Sequence, residues 1–205
     1  MTLIVSCSQY NIEEKEAEVL GNSDNNINLR EGTLNIDKYV ENQLIISEGI
    51  INLLENENDI DIDYILNMPS NLTYNELKSS FDDANIIQSS ALADLLKLLQ
   101  NNSLTFANKN QNLKDLTLTE IELIISQEIE NQLGSLNYNR AGPCEDAFHT
   151  GHSRCARNFA ISAGAVAISA FFTFGIGTFI GGSSAMAIYL ACQNDVDQDY
   201  YNCID

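Results

Sequence analysis

The chain has no tryptophan, two prolines and two histidines among its 205 residues. Basic residues are also scarce: ten Lys and Arg stand against 29 Asp and Glu, for a net charge of −19. Binding to a phosphate backbone needs clustered Lys and Arg. No such cluster occurs, so nucleic acid is not an expected partner. Both histidines, His149 and His152, fall in one short stretch, which leaves little material for a nucleophile–base–acid triad. Gly-x-Ser-x-Gly elbows, Cys-x-x-Cys pairs, His-Glu-x-x-His helices and glycine-rich phosphate loops are missing too. So are strand-like alternation and internal repeats. These absences point to a non-enzymatic protein without a cofactor.

What is present suits helices. Apolar residues make up 44% of the chain, enough for a buried core, and Asn-rich stretches supply polar loops. Before residue 140 there are 23 acids and 7 bases; from Arg140 onward there are 6 and 3. The acidic surplus sits in the N-terminal part, where it promotes solubility.

Periodicity places the helices. Ile36, Val40, Leu44, Ile51 and Leu54 predict a helix over 34–56, followed by irregular chain over 57–72. Thr73 and Glu76 form a Thr-x-x-Glu capping box. Leu77, Phe81, Ala84, Ala91, Leu95 and Leu98 then predict one amphipathic helix over 74–100. After a loop to about Lys114, Thr117 and Glu120 form a second box. Ile121, Ile125, Ile129 and Leu133 predict a helix ending near 133. Three such helices can bury one modest core.

Five cysteines mark the chain: Cys7, Cys144, Cys155, Cys192 and Cys203. The last four are mirror-placed, with a step of eleven positions from Cys144 to Cys155 and eleven again from Cys192 to Cys203. Eleven residues is about three helical turns, so each pair shares a helix face. Four cysteines allow three pairings; the mirror selects Cys144 with Cys203 and Cys155 with Cys192. An antiparallel hairpin reversing between Thr173 and Phe174 would bring them together, with Gly175 and Gly177 at the turn. Pro143 suits the first helical turn, and Glu145 and Asp146 suit the positive end of the helix dipole. Ser162, Val166 and Ser169 on one arm, and Gly177, Gly181 and Ala185 on the other, offer small facing surfaces. Gly151 stands out as a defect, costing about 1 kcal/mol relative to Ala. The arrangement resembles disulfide-stapled α-hairpin peptides, which nest two cysteine pairs in the same order.

Cys7 closes Leu3-Ile4-Val5-Ser6-Cys7, which resembles the lipobox of bacterial lipoproteins. That resemblance implies a lipid on Cys7, a membrane anchor and a place in the cell envelope, on the periplasmic or outer surface. Six preceding residues are too few for a signal core of about 7–15, so the true start is expected upstream of Met1. Lipidation of Cys7 leaves four cysteines to pair in an oxidising compartment.

From Asn158 to Asn194 no residue is charged. Folded as a hairpin, each arm is slightly short of spanning a ~30 Å hydrocarbon core. The hairpin can therefore pack on the body, insert into a membrane or meet a partner protein. Phe171, Phe172, Phe174, Ile176, Phe179 and Ile180 cluster at its tip as candidate contact residues. At its base, His152 is expected opposite Asp195 and His149 near Asp199, a possible divalent-metal set. Arg154 and Arg157 are expected to pair with Asp195, Asp197 and Asp199.

The expected architecture is all-α: a small helical body followed by a C-terminal antiparallel helical hairpin with two disulfides. Residues 1–7 are a signal remnant, 8–30 an acidic tether, 31–135 the acidic body and 136–205 the apolar hairpin. The expected role is an envelope lipoprotein that binds or supports a partner through the hairpin. The alternative is a membrane-inserting, bacteriocin-like effector.

Overall fold

Amphipathic stripes and capping boxes become seven α-helices and one 3-10 turn in a computed structural model, which describes residues 36–57, 59–69, 72–133, 142–174 and 182–204. The helices are α1 (Ile36–Leu54), α2 (Ile62–Leu66), α3 (Tyr74–Asp83), α4 (Ser89–Lys109), α5 (Leu118–Leu133), α6 (Pro143–Phe174) and α7 (Gly182–Ile204). The 3-10 turn covers Gln111–Asp115. Among the described residues there is no β-sheet, and the all-α expectation holds.

Both disulfides form as the mirror spacing requires. Cys144 bonds Cys203 and Cys155 bonds Cys192, each with Cα atoms 5.8 Å apart, inside the range a disulfide can bridge. The pairing makes α6 and α7 antiparallel. The reversal is displaced from its expected midpoint, because Thr173 and Phe174 are still helical. In the disulfide register Gly182 falls opposite Ala165. The rest of α6, nine residues or about 13 Å, runs past the first turn of α7. Gly175, Ile176, Gly177 and Gly181 lie outside the described residues.

That overhang packs on the body. One buried cluster joins Ile50, Leu77, Phe81, Leu92 and Leu96 to Phe159, Ala163, Met186 and Tyr189, so α1, α3, α4, α6 and α7 share it. A second joins Tyr39, Val40, Phe106, Ile121, Ile125 and Ile129 to Ala160, Ala165 and Ile168 of α6. Small side chains let α6 come close. A Cβ on Gly164 would lie 2.7 Å from the Tyr39 hydroxyl and 3.1 Å from Gln43 Nε2, so a larger residue there would displace both side chains from between α6 and α1.

The single helix expected over 74–100 is two helices. Asn85 adopts a left-handed φ of 64°, a conformation Asn tolerates and a helix does not. After the break the buried positions are Leu92, Leu96 and Leu99; Leu98 is exposed and Ala91 and Leu95 are not in the buried set. The new helix restarts with a different rotation. Gln88 at its start makes no side-chain cap. Instead the Glu57 carboxylate, just after α1, accepts the Ile87 N–H at 3.0 Å and the Gln88 N–H at 2.8 Å. α4 also continues to Lys109 through the expected loop. Within 57–72, expected to be irregular, α2 forms, with the Asp61 side chain accepting the Tyr64 N–H.

Candidate functional site

The base of the hairpin gathers most of the singled-out side chains. His152 lies between two α7 residues. Its Nε2 is 3.0 Å from Asp197 Oδ1, and its Nδ1 is 3.2 Å from Gln193 Nε2. Gln193 also donates to the Tyr189 hydroxyl. That hydroxyl reaches Oε1 of Glu55, the residue after α1, at 3.5 Å. Burial, aided by the negative charge of Glu55, raises the pKa of Tyr189 far above its ordinary value, so it stays a neutral donor. The chain Asp197–His152–Gln193–Tyr189–Glu55 thus ties α6, α7 and α1 together. Periodicity gave no sign of it, although Tyr189 and Gln193 are one turn apart on α7.

Several expected pairings change. His152 meets Asp197 rather than Asp195, because the α7 face opposite it is set by the disulfide rotation and not by residue count. His149 lies 3.8 Å from Glu145 on its own helix. Arg157 approaches Glu130 of α5 at 3.6 Å, away from the α7 acids, since that part of α6 faces the body. Among the described residues no three His, Cys, Asp or Glu side chains converge as a metal site requires. His149, His152, Asp195 and Asp199 are therefore not gathered into a ligand set.

Gly151 has a packing reason. A Cβ there would sit 2.7 and 2.8 Å from the two methyls of Val196. The glycine seats Val196 at the crossing of α6 and α7. Beside it a cavity of about 510 Å³ opens, bordered by Phe148, Arg154, Asp199, Tyr200 and the Cys144–Cys203 bridge. The Phe148 and Tyr200 rings lie 4.8 Å apart within it.

At the other end, Phe171 and Phe172 meet edge to face with centroids 5.0 Å apart. Both are half-buried against the second cluster. Ile176, Phe179, Ile180 and Cys7 lie outside the described residues, as does the side chain of Phe174. Over Pro143–Thr173, α6 is long and apolar enough to cross a membrane, and half of its most apolar window is buried. Compared with protein-family models, curated proteins and solved structures, the chain matches none.

Proposed function

We propose that this protein is a non-enzymatic binding module of the bacterial cell envelope, anchored by a lipid on Cys7 and acting through the tip of its oxidised hairpin. The observation that carries this reading is cysteine arithmetic: four C-terminal cysteines are consumed in two nested disulfides, and Cys7 is left over in a lipobox-like setting. Disulfides persist outside the reducing cytosol. The body covers one side of α6 up to its end, where Phe171 and Phe172 stay half-exposed; joined in sequence by Phe174, Ile176, Phe179 and Ile180, they supply the contact surface. The partner is a protein or the membrane itself.

The test uses the full-length gene in its own host. Acyl labelling should tag the wild type, and Cys7→Ser should abolish the label and release the protein from the membrane fraction. A cytosolic product with all four C-terminal thiols free would overturn the reading.

The length and apolarity of α6 support a second reading, in which the hairpin leaves the body and inserts into a bilayer. The acidic body then keeps it soluble before delivery. Dye release from lipid vesicles by the whole chain, with and without reductant, separates the two. Leakage favours insertion; intact vesicles under both conditions favour the binding module.

A further inference from the structure

The polar side chains at the base of the hairpin form a chain in which each proton has one place to go. Gln193 Nε2 lies 3.2 Å from His152 Nδ1 and also donates to the Tyr189 hydroxyl. An amide nitrogen offers two hydrogens and no acceptor site. His152 Nδ1 is therefore the acceptor of that contact. The ring proton then sits on Nε2, 3.0 Å from Asp197 Oδ1. Tyr189 accepts from Gln193, so its own proton goes to Glu55 Oε1 at 3.5 Å. Burial keeps that phenol protonated. This pattern holds His152 neutral in a single tautomer.

One added proton breaks the pattern. A protonated imidazole donates from both nitrogens, so Nδ1–H would meet the Gln193 amide hydrogens head on. Turning the amide over removes the conflict, because Oε1 then accepts from Nδ1–H. The same oxygen now faces the Tyr189 oxygen, and two oxygens in contact need a proton between them. Tyr189 has one proton, so it leaves Glu55 for Gln193. A charge placed on α6 is thereby read at Glu55, on the body. The surrounding titratable groups are Asp197 and Tyr189 on α7 and Glu55 after α1. α2, which packs on α7, carries Asp61 and Asp63. Arg157 of α6 is turned to Glu130 of α5, and His149 to Glu145. α4 contributes the apolar Leu92 and Leu96 to the shared cluster. Asp197 favours the charged ring, and the loss of the Glu55 bond opposes it.

We propose that His152 works as a proton-operated latch between hairpin and body: its protonation inverts the Gln193 amide and withdraws the Tyr189 hydroxyl from Glu55. Histidine ordinarily changes charge between pH 5 and 8. The tie is complete on the alkaline side of that range and is lost as pH falls through it. The latch requires neither a lipid on Cys7 nor a particular partner, so it stands apart from the envelope reading.

NMR of the isotope-labelled full chain, with both disulfides intact, tests it. At pH 8 the imidazole spectrum should show His152 as the Nε2–H tautomer. Between pH 8 and 5.5 the Tyr189 Cζ and Glu55 Cδ signals should shift with the same midpoint as the His152 ring. Sampling stops at pH 5.5, above the ordinary carboxylate range, so Glu55 does not report its own titration. Gln193→Met should abolish both carbon shifts while His152 still titrates. A direct effect of the imidazolium charge would survive that substitution. The Nδ1–H tautomer at pH 8, a His152 that stays neutral to pH 5.5, a ring titration without the carbon shifts, or shifts that persist in Gln193→Met would each overturn the proposal. The first three are read on the wild type and do not depend on the variant folding.

Discussion

At Gly151 two physical effects oppose each other. Helix propensity favours alanine by about 1 kcal/mol, whereas the Val196 methyls stand 2.7 and 2.8 Å from where its Cβ would be. Contacts that short force a helix shift, and overpacking costs about 1–3 kcal/mol, so the clash wins. Gly151→Ala should lower the urea midpoint, and Gly151→Ala with Val196→Ala should recover part of the loss. A stabilised single variant would show that the crossing is looser than drawn. Burial acts in the same direction on Tyr39, whose hydroxyl pairs with Ser103 at 3.2 Å. Its pKa rises well beyond the ordinary range because the anion would be desolvated.

Helix beginnings show where local chemistry suffices and where it does not. Both capping boxes form: Glu76 accepts from the Thr73 N–H and hydroxyl, and Glu120 does the same with Thr117. Those bonds favour the ionised carboxylates and hold both pKa values below the ordinary 4.5. A carboxylate with a lowered folded pKa contributes stability that is complete above its unfolded value. It is lost as pH falls through the folded value. Glu76→Gln with Glu120→Gln should therefore flatten the loss of stability below pH 4.5, seen as a shallower pH dependence of the melting temperature. The start of α4 is different, because its acceptor comes from Glu57, thirty-one residues before Gln88. Glu57→Ala should cost about 1 kcal/mol, the usual magnitude for a lost helix cap, measured by chemical denaturation. Glu57→Gln, which keeps one acceptor oxygen, should cost less.

Across the whole molecule the two disulfides differ in setting. Cys155 is buried at 1% exposure inside the first cluster, while Cys203 is exposed near the end of α7. Thiol exchange needs access to a sulfur, so a mild reductant should open Cys144–Cys203 first. Mass mapping of alkylated peptides over time reads the order directly. Removing Cys155–Cys192 by Cys155→Ala with Cys192→Ala should cost about 2–5 kcal/mol and loosen the link between α6 and the body. Simultaneous reduction of both bridges would mean the hairpin opens as a unit.

Some of this protein is written locally in its residues. The stripes of α1 and α5, the first half of the stripe that begins at Leu77, the two capping boxes, the helical hairpin and its disulfide pairing all follow from spacing, because helical periodicity and sulfur register depend on near neighbours. Ile121, Ile125 and Ile129 are buried as their four-residue spacing requires. Other features depend on residues far apart in the chain. The phase of α4 depends on Glu57 and on the left-handed turn at Asn85. The partner of His152 depends on how two helices rotate about a shared bridge. Gly151 and Gly164 look like defects until Val196 and Tyr39 are set against them. Spacing therefore determined most of the segments that coil and which sulfurs pair, and only packing decided where α2 forms, where α3 gives way to α4 and which faces meet, because the rotation of one helix against another is set by side chains from both.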